Sequence, residues 1–73
     1  MRQAILFRGE DGMWVAEVPS LPGCISQGRT REEAITNITE AAELWIEGMK
    51  SSGRSIPTEQ ADVTVHKIEV SAA

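Results

Sequence analysis

The chain has 73 residues, seven of them basic and eleven acidic, for a net charge of −4. That length holds one domain at most, expected to span residues 1–73, and a domain so small buries only about 60% of the surface its unfolded chain exposes. A single cysteine excludes an internal disulfide and a single histidine leaves a Cys/His metal site short of ligands, so self-association is the expected extra source of stability.

Residues 2–8, RQAILFR, form a short apolar run with a charge at each end and predict a first strand. GEDG at 9–12 is turn chemistry. MWVAEV at 13–18 predicts a second strand, with Trp14, Ala16 and Val18 on one face and Met13 and Val15 on the other. The short turn between the two runs makes them an antiparallel hairpin. Pro19 closes the second strand because it has no N–H for the ladder. In the connector after it, Pro22-Gly23 is a turn dipeptide: proline presets φ and glycine accepts positive φ. CISQGR at 24–29 predicts a third short strand.

Thr30 opens the clearest element. Thr30 and Glu33 fit a capping box, in which each side chain satisfies an orphan N–H at the helix start. An apolar stripe then runs through Ala34, Ile38, Ala41, Trp45 and Met49, widened by Ile35 and Ala42. All lie within about 60° of Ile38 at 100° per residue. The helix is expected to end near 50–53, with Lys50 at the negative dipole end and Gly53 in a left-handed cap. After a polar connector at 54–62, VTVHKIEV at 63–70 is rich in β-branched residues and predicts a fourth strand. Its apolar positions break step: Val63 and Val65 share one face, Ile68 and Val70 the other, as in a bulged strand or one contacted on both faces. The tail 71–73 is expected to fray. The order is β-β-β-α-β, an α+β arrangement with an antiparallel sheet and one long helix on one face. Three strands and one helix cannot hide Trp14, Trp45, Ile5, Phe7 and Val15 together, so another subunit or a partner is expected to cover part of them.

Chemistry-bearing constellations are sparse. Cys24, at a strand start beside glycine, reads as a small buried hydrophobe, and His66 as an ordinary strand residue without an acidic orienter. Glu40, Glu43 and Glu47 share a helix face, as a solvated face opposite the core does. Gly9 and Gly12 bracket two acids, the wrong sign for a phosphate cradle. No catalytic residue, cofactor or metal ligand is expected. The acidic balance works against binding nucleic acid through its phosphates and suits a basic protein partner. No apolar run reaches the ~18 to 20 residues of a membrane span, and the N-terminus lacks the ~7 to 15 apolar residues of a signal-peptide core. With a lone cysteine, these features predict a cytoplasmic protein. Leu44 lies about 120° from the stripe centre, beside Asn37 and Gly48, and is a candidate for packing against a second chain. Trp14, Leu21 and Trp45 join it as candidate interface residues because they are large or apolar, although Trp45 also suits the core.

The stretch GMWVAEVPSLPGCISQGRTREEAITNITEAAELWIEGM, residues 12–49, resembles the HicB-like antitoxin family. The resemblance lies in the strand ending in V-P, the L-P-G-C connector, the short strand ending in Gly, the T-x-E-E-A helix start and the N-I-x-E-A-x-E helix body. GRSIP at 53–57 resembles the family's stretch after the helix. The resemblance implies a partial RNase H-like fold and a protein that neutralises a HicA-type toxin, a small basic ribonuclease, by masking its active site or RNA surface. RNase H-type nucleases hold metals with first-strand carboxylates; RQAILFR has none, so the likeness is one of shape. Many members also carry a C-terminal DNA-binding domain, which is not expected in a chain ending at Ala73. The alternative is a stand-alone oligomeric module, a homodimer or homotetramer with no toxin.

Overall fold

A computed structural model of the chain describes residues 1–59 and 62–71. Its elements are β1 (Ile5–Arg8), β2 (Trp14–Glu17), β3 (Ile25–Gly28) and α1 (Arg31–Ser51). The strands form one antiparallel sheet in the order β1-β2-β3, so the α+β arrangement expected from the sequence is present through the helix. The strands are shorter than the apolar runs that announce them, because the ladder extends only where a neighbour supplies partners.

The β1–β2 hairpin closes through a Gly9 N–H to Met13 carbonyl bond of 2.8 Å and a Gly12 N–H to Gly9 carbonyl bond of 3.0 Å. The Asp11 carboxylate accepts from the Met13 N–H at 2.9 Å. Register pairs Leu6 with Ala16 and Phe7 with Val15. Alternation then sends Leu6, Trp14, Ala16 and Val18 to the helix side. Ala16 and Val18 are buried there with Leu21, Cys24, Ala34 and Ile38, and Trp14, Ala41, Ala42, Trp45 and Ile46 pack around them. The opposite sheet face keeps Phe7 and Ile25 exposed and Ile5 and Val15 half-buried.

The connector at 18–24 consists of two successive tight turns. The Leu21 N–H donates to the Val18 carbonyl and the Cys24 N–H to the Leu21 carbonyl, each at 3.0 Å, and each turn has a proline in its second position. Gly23 has a φ of 80°, which the turn following Pro22 requires. A bond from the Val18 N–H to the Cys24 carbonyl, also 3.0 Å, closes the unit.

The helix starts where the capping pattern places it. The Thr30 hydroxyl accepts from the Glu33 N–H at 3.1 Å. The Glu33 carboxylate reaches one residue further back than a standard capping box and accepts from the Arg29 N–H at 3.1 Å. At the far end, Gly53 takes a φ of 73° while the Arg54 N–H bonds to the Met49 carbonyl (2.9 Å) and the Gly53 N–H to the Lys50 carbonyl (3.1 Å). That pair of bonds is a Schellman termination. The inward stripe is turned slightly from expectation: Ile46 packs against the core and Ile35 is exposed.

The predicted fourth strand is not formed. Residues 63–70 have no ladder partner among the described residues, and all but Val63 are exposed. A strand is stabilised by its neighbour rather than by its own propensity, and β-branched composition alone does not provide one. Of the predicted frayed tail, residues 72–73 lie outside the described residues. No described helix is long and apolar enough to cross a membrane.

Helix and sheet meet closely at Gly28. A methyl group there would lie 2.5 Å from the Ala34 nitrogen and 2.8 Å from the Glu33 carbonyl carbon. These are backbone atoms of the first helical turn and cannot swing aside. Gly48, in contrast, has nothing within 4 Å of such a methyl group. In denaturant unfolding, Gly28→Ala should lower stability by about 1–3 kcal/mol through overpacking. Gly48→Ala should be neutral or raise it by up to about 1 kcal/mol through helix propensity.

Candidate functional site

The candidate interface residues occupy different environments. Leu21 is fully buried at the centre of the connector, with no surface to offer in the single chain. Trp45 is half-buried, and its indole N–H donates to the Pro22 carbonyl at 3.1 Å. Trp14 is half-buried on the sheet, and the Arg8 guanidinium stacks 5.2 Å from its ring centroid, within cation–π range. Leu21 and Trp45 therefore act together: the helix holds the connector by one hydrogen bond, and the connector fills the core with one leucine. Arg2 adds a third tie, donating to the Ser20 hydroxyl at 3.0 Å.

Leu44 stands apart. It is 69% exposed on the outer face of α1, in a shallow depression lined by Glu40, Glu43 and Glu47. The amphipathic pattern sets this position: the inward stripe commits the opposite side chains to solvent. An isolated exposed leucine is ordinary. Here Leu44 places apolar surface beside three acidic side chains on one helix face. Helical spacing already placed Glu40, Glu43 and Glu47 on one face and Leu44 off the core stripe; the folded helix shows that all four line one shallow depression.

Cys24 is buried, and burial raises its thiol pKa above the ordinary value. The thiolate is the nucleophilic form, so this environment makes Cys24 inert. His66 shares a hydrogen bond of 2.7 Å with the Thr64 hydroxyl on the exposed 63–70 segment. Among the described residues, no three His, Cys, Asp or Glu side chains converge as a metal site would require.

Comparison with known proteins identifies the family. The HicB-like antitoxin of bacterial toxin–antitoxin systems matches residues 3–71. The chain belongs to this family. A UPF0150 protein of Thermoplasma acidophilum is 46% identical over 63 residues, covering 85% of this chain and 91% of that one. A UPF0150 protein of Synechocystis is 53% identical over 49 residues, covering 67% of this chain and 62% of the relative. An uncharacterized 14.9 kDa protein of Haemophilus phage HP1 is 43% identical over 44 residues, which are 60% of this chain and 33% of the phage protein. No solved structure matches the chain at comparable significance. The HicB-like match supports an antitoxin-like role and suggests one that is not enzymatic.

Two measurements test these environments. Leu21→Ala should destabilise the fold by about 2–5 kcal/mol, as large-to-small core changes do, whereas Leu44→Ala should stay within about 0.5 kcal/mol. Because the Cys24 pKa is raised in the folded state, the stability this burial favours is present at neutral pH and lost as pH climbs past the ordinary thiol range. Unfolding curves of the native chain should therefore weaken on the alkaline side. Those of Cys24→Ala should lack this component.

Proposed function

We propose that this HicB-like protein binds and neutralises a small basic HicA-type ribonuclease toxin in the cytoplasm by masking its active site or RNA surface. The observation that carries this reading is the antitoxin family match over residues 3–71. The net charge of −4 supports it, since an acidic surface accelerates encounter with a basic partner. So does the exposed Leu44 among Glu40, Glu43 and Glu47, which offers such a partner both an apolar contact and a charged rim. The connector has a part in this: a surface pinned by two proline turns loses little entropy on binding. The protein acts by occupying the toxin rather than by chemistry of its own, and no nucleic-acid or membrane contact is assigned to it.

The second reading is a stand-alone oligomeric module, a homodimer or homotetramer with no toxin. The exposed apolar face at Phe7 and Ile25 and the exposed segment 63–70 favour self-association in either case.

Mild capture of the tagged protein from its native cells, with the bound proteins weighed by mass spectrometry, separates the two. A small, basic, stoichiometric partner whose ribonuclease activity falls on titration with this chain is the expected result. Recovery of self-copies alone would replace the antitoxin reading with the solitary module. With the partner in hand, Leu44→Arg should weaken binding by about tenfold or more, the effect of losing a central apolar anchor. Charge reversal at Glu40, Glu43 and Glu47 should reduce both the association rate and its salt dependence. Neither change should alter the helical circular dichroism.

A further inference from the structure

Arg2 joins three parts of the chain that lie far apart in sequence. One prong of its guanidinium donates to the Ser20 hydroxyl at 3.0 Å and the other to the Pro57 carbonyl at 2.7 Å. The side chain is half-buried, and with Val18, Ile38 and Ile46 it lines an open groove of about 230 Å³ between sheet and helix. A guanidinium presents its N–H donors in one fixed plane, so holding the first acceptor orients it for the second.

Both acceptors sit where a bond has consequences. Ser20 lies in the connector beside Leu21 and is only 5% exposed, and a hydroxyl so buried needs a partner. Pro57 lies in the stretch after the helix and has no N–H, so its carbonyl is the one backbone group it can bond with. Ile56 and Pro57 are half-buried while Ser55 and Thr58 on either side are exposed. The stretch therefore rests on the domain at the point that Arg2 holds. The neighbouring residue reinforces the tie, because the Gln3 N–H donates to the Glu59 carboxylate. Ordering a long arginine side chain costs entropy once for both bonds. When either acceptor is lost, the side chain regains its rotamers and the remaining bond weakens.

We propose that Arg2 is a two-pronged latch that couples the connector to the stretch after the helix, so that loosening one end loosens the other. The path the chain takes beyond the helix then depends on a serine in the connector. This coupling is a property of the fold and holds whichever partner the protein binds.

The test uses the full ¹⁵N-labelled chain. In the wild type, NMR contacts should run from the Arg2 side chain to both Ser20 and Pro57. Ser20→Ala should lower the backbone order parameters of residues 55–59. It should also speed trypsin cleavage after Arg54 by roughly threefold to tenfold, the factor expected for one lost hydrogen bond. Arg2→Gln should do the same, and adding Ser20→Ala to it should give no further increase. Gly28→Ala weakens the fold away from Arg2 and should leave the order parameters of 55–59 unchanged. Should a variant not fold, the wild-type contacts decide alone. Absence of the Arg2 contact to either acceptor would overturn the latch. So would an unchanged 55–59 in Ser20→Ala, additive effects of the two substitutions, or equal loosening by Gly28→Ala.

Discussion

The contact between Gly28 and the first turn of the helix governs how the two layers of this fold meet. With backbone lying against backbone, β3 and α1 can approach only if position 28 has no side chain. The approach sets the height and direction of the helix over the sheet. It turns Ala34 and Ile38 into the core and lets Asn37 reach the Gln27 carbonyl. The same rotation commits Leu44 and its neighbouring carboxylates to solvent. By drawing the helix toward β3, it also leaves the β1 side thinly covered.

The connector is the second fixed part. Two consecutive proline turns reverse the chain within seven residues, 18–24, and point Leu21 inward. Its ties come from three directions: the Val18–Cys24 backbone pair, the Trp45 indole on Pro22 and the Arg2 guanidinium on Ser20. Every buried side-chain polar atom described has a hydrogen-bond partner, so the rigidity is not gained at the expense of unpaired polar groups. A small domain without disulfides can hold a defined surface in this way, although its hydrophobic core alone is modest.

The outer helix face and the β1 side are both consequences of incomplete coverage. One helix cannot shield a three-stranded sheet on both faces or along both edges, and the described residues of this chain form no second layer. The outer helix face exposes Leu44 beside Glu40, Glu43 and Glu47. The β1 side bears apolar residues, and among the described residues β1 pairs only with β2.

The sequence by itself determined the elements whose signals are local. The Thr30 and Glu33 cap, the helix stripe from Ala34 to Met49, the Gly53 termination and the Pro22-Gly23 turn all depend on residues within a few positions of one another, and each is where its pattern places it. The family was legible too, because the connector and helix start form a specific combination. Tertiary structure decided what depends on distant partners. It enclosed Leu21, which the sequence reading placed among the candidate interface residues, and it brought Ile46 rather than Ile35 to the core. It left 63–70 without a ladder although its β-propensity is plain. The physical reason is the same throughout: turns and helix caps close their hydrogen bonds locally, whereas a strand or a core position is completed only by a neighbour far along the chain or on another chain.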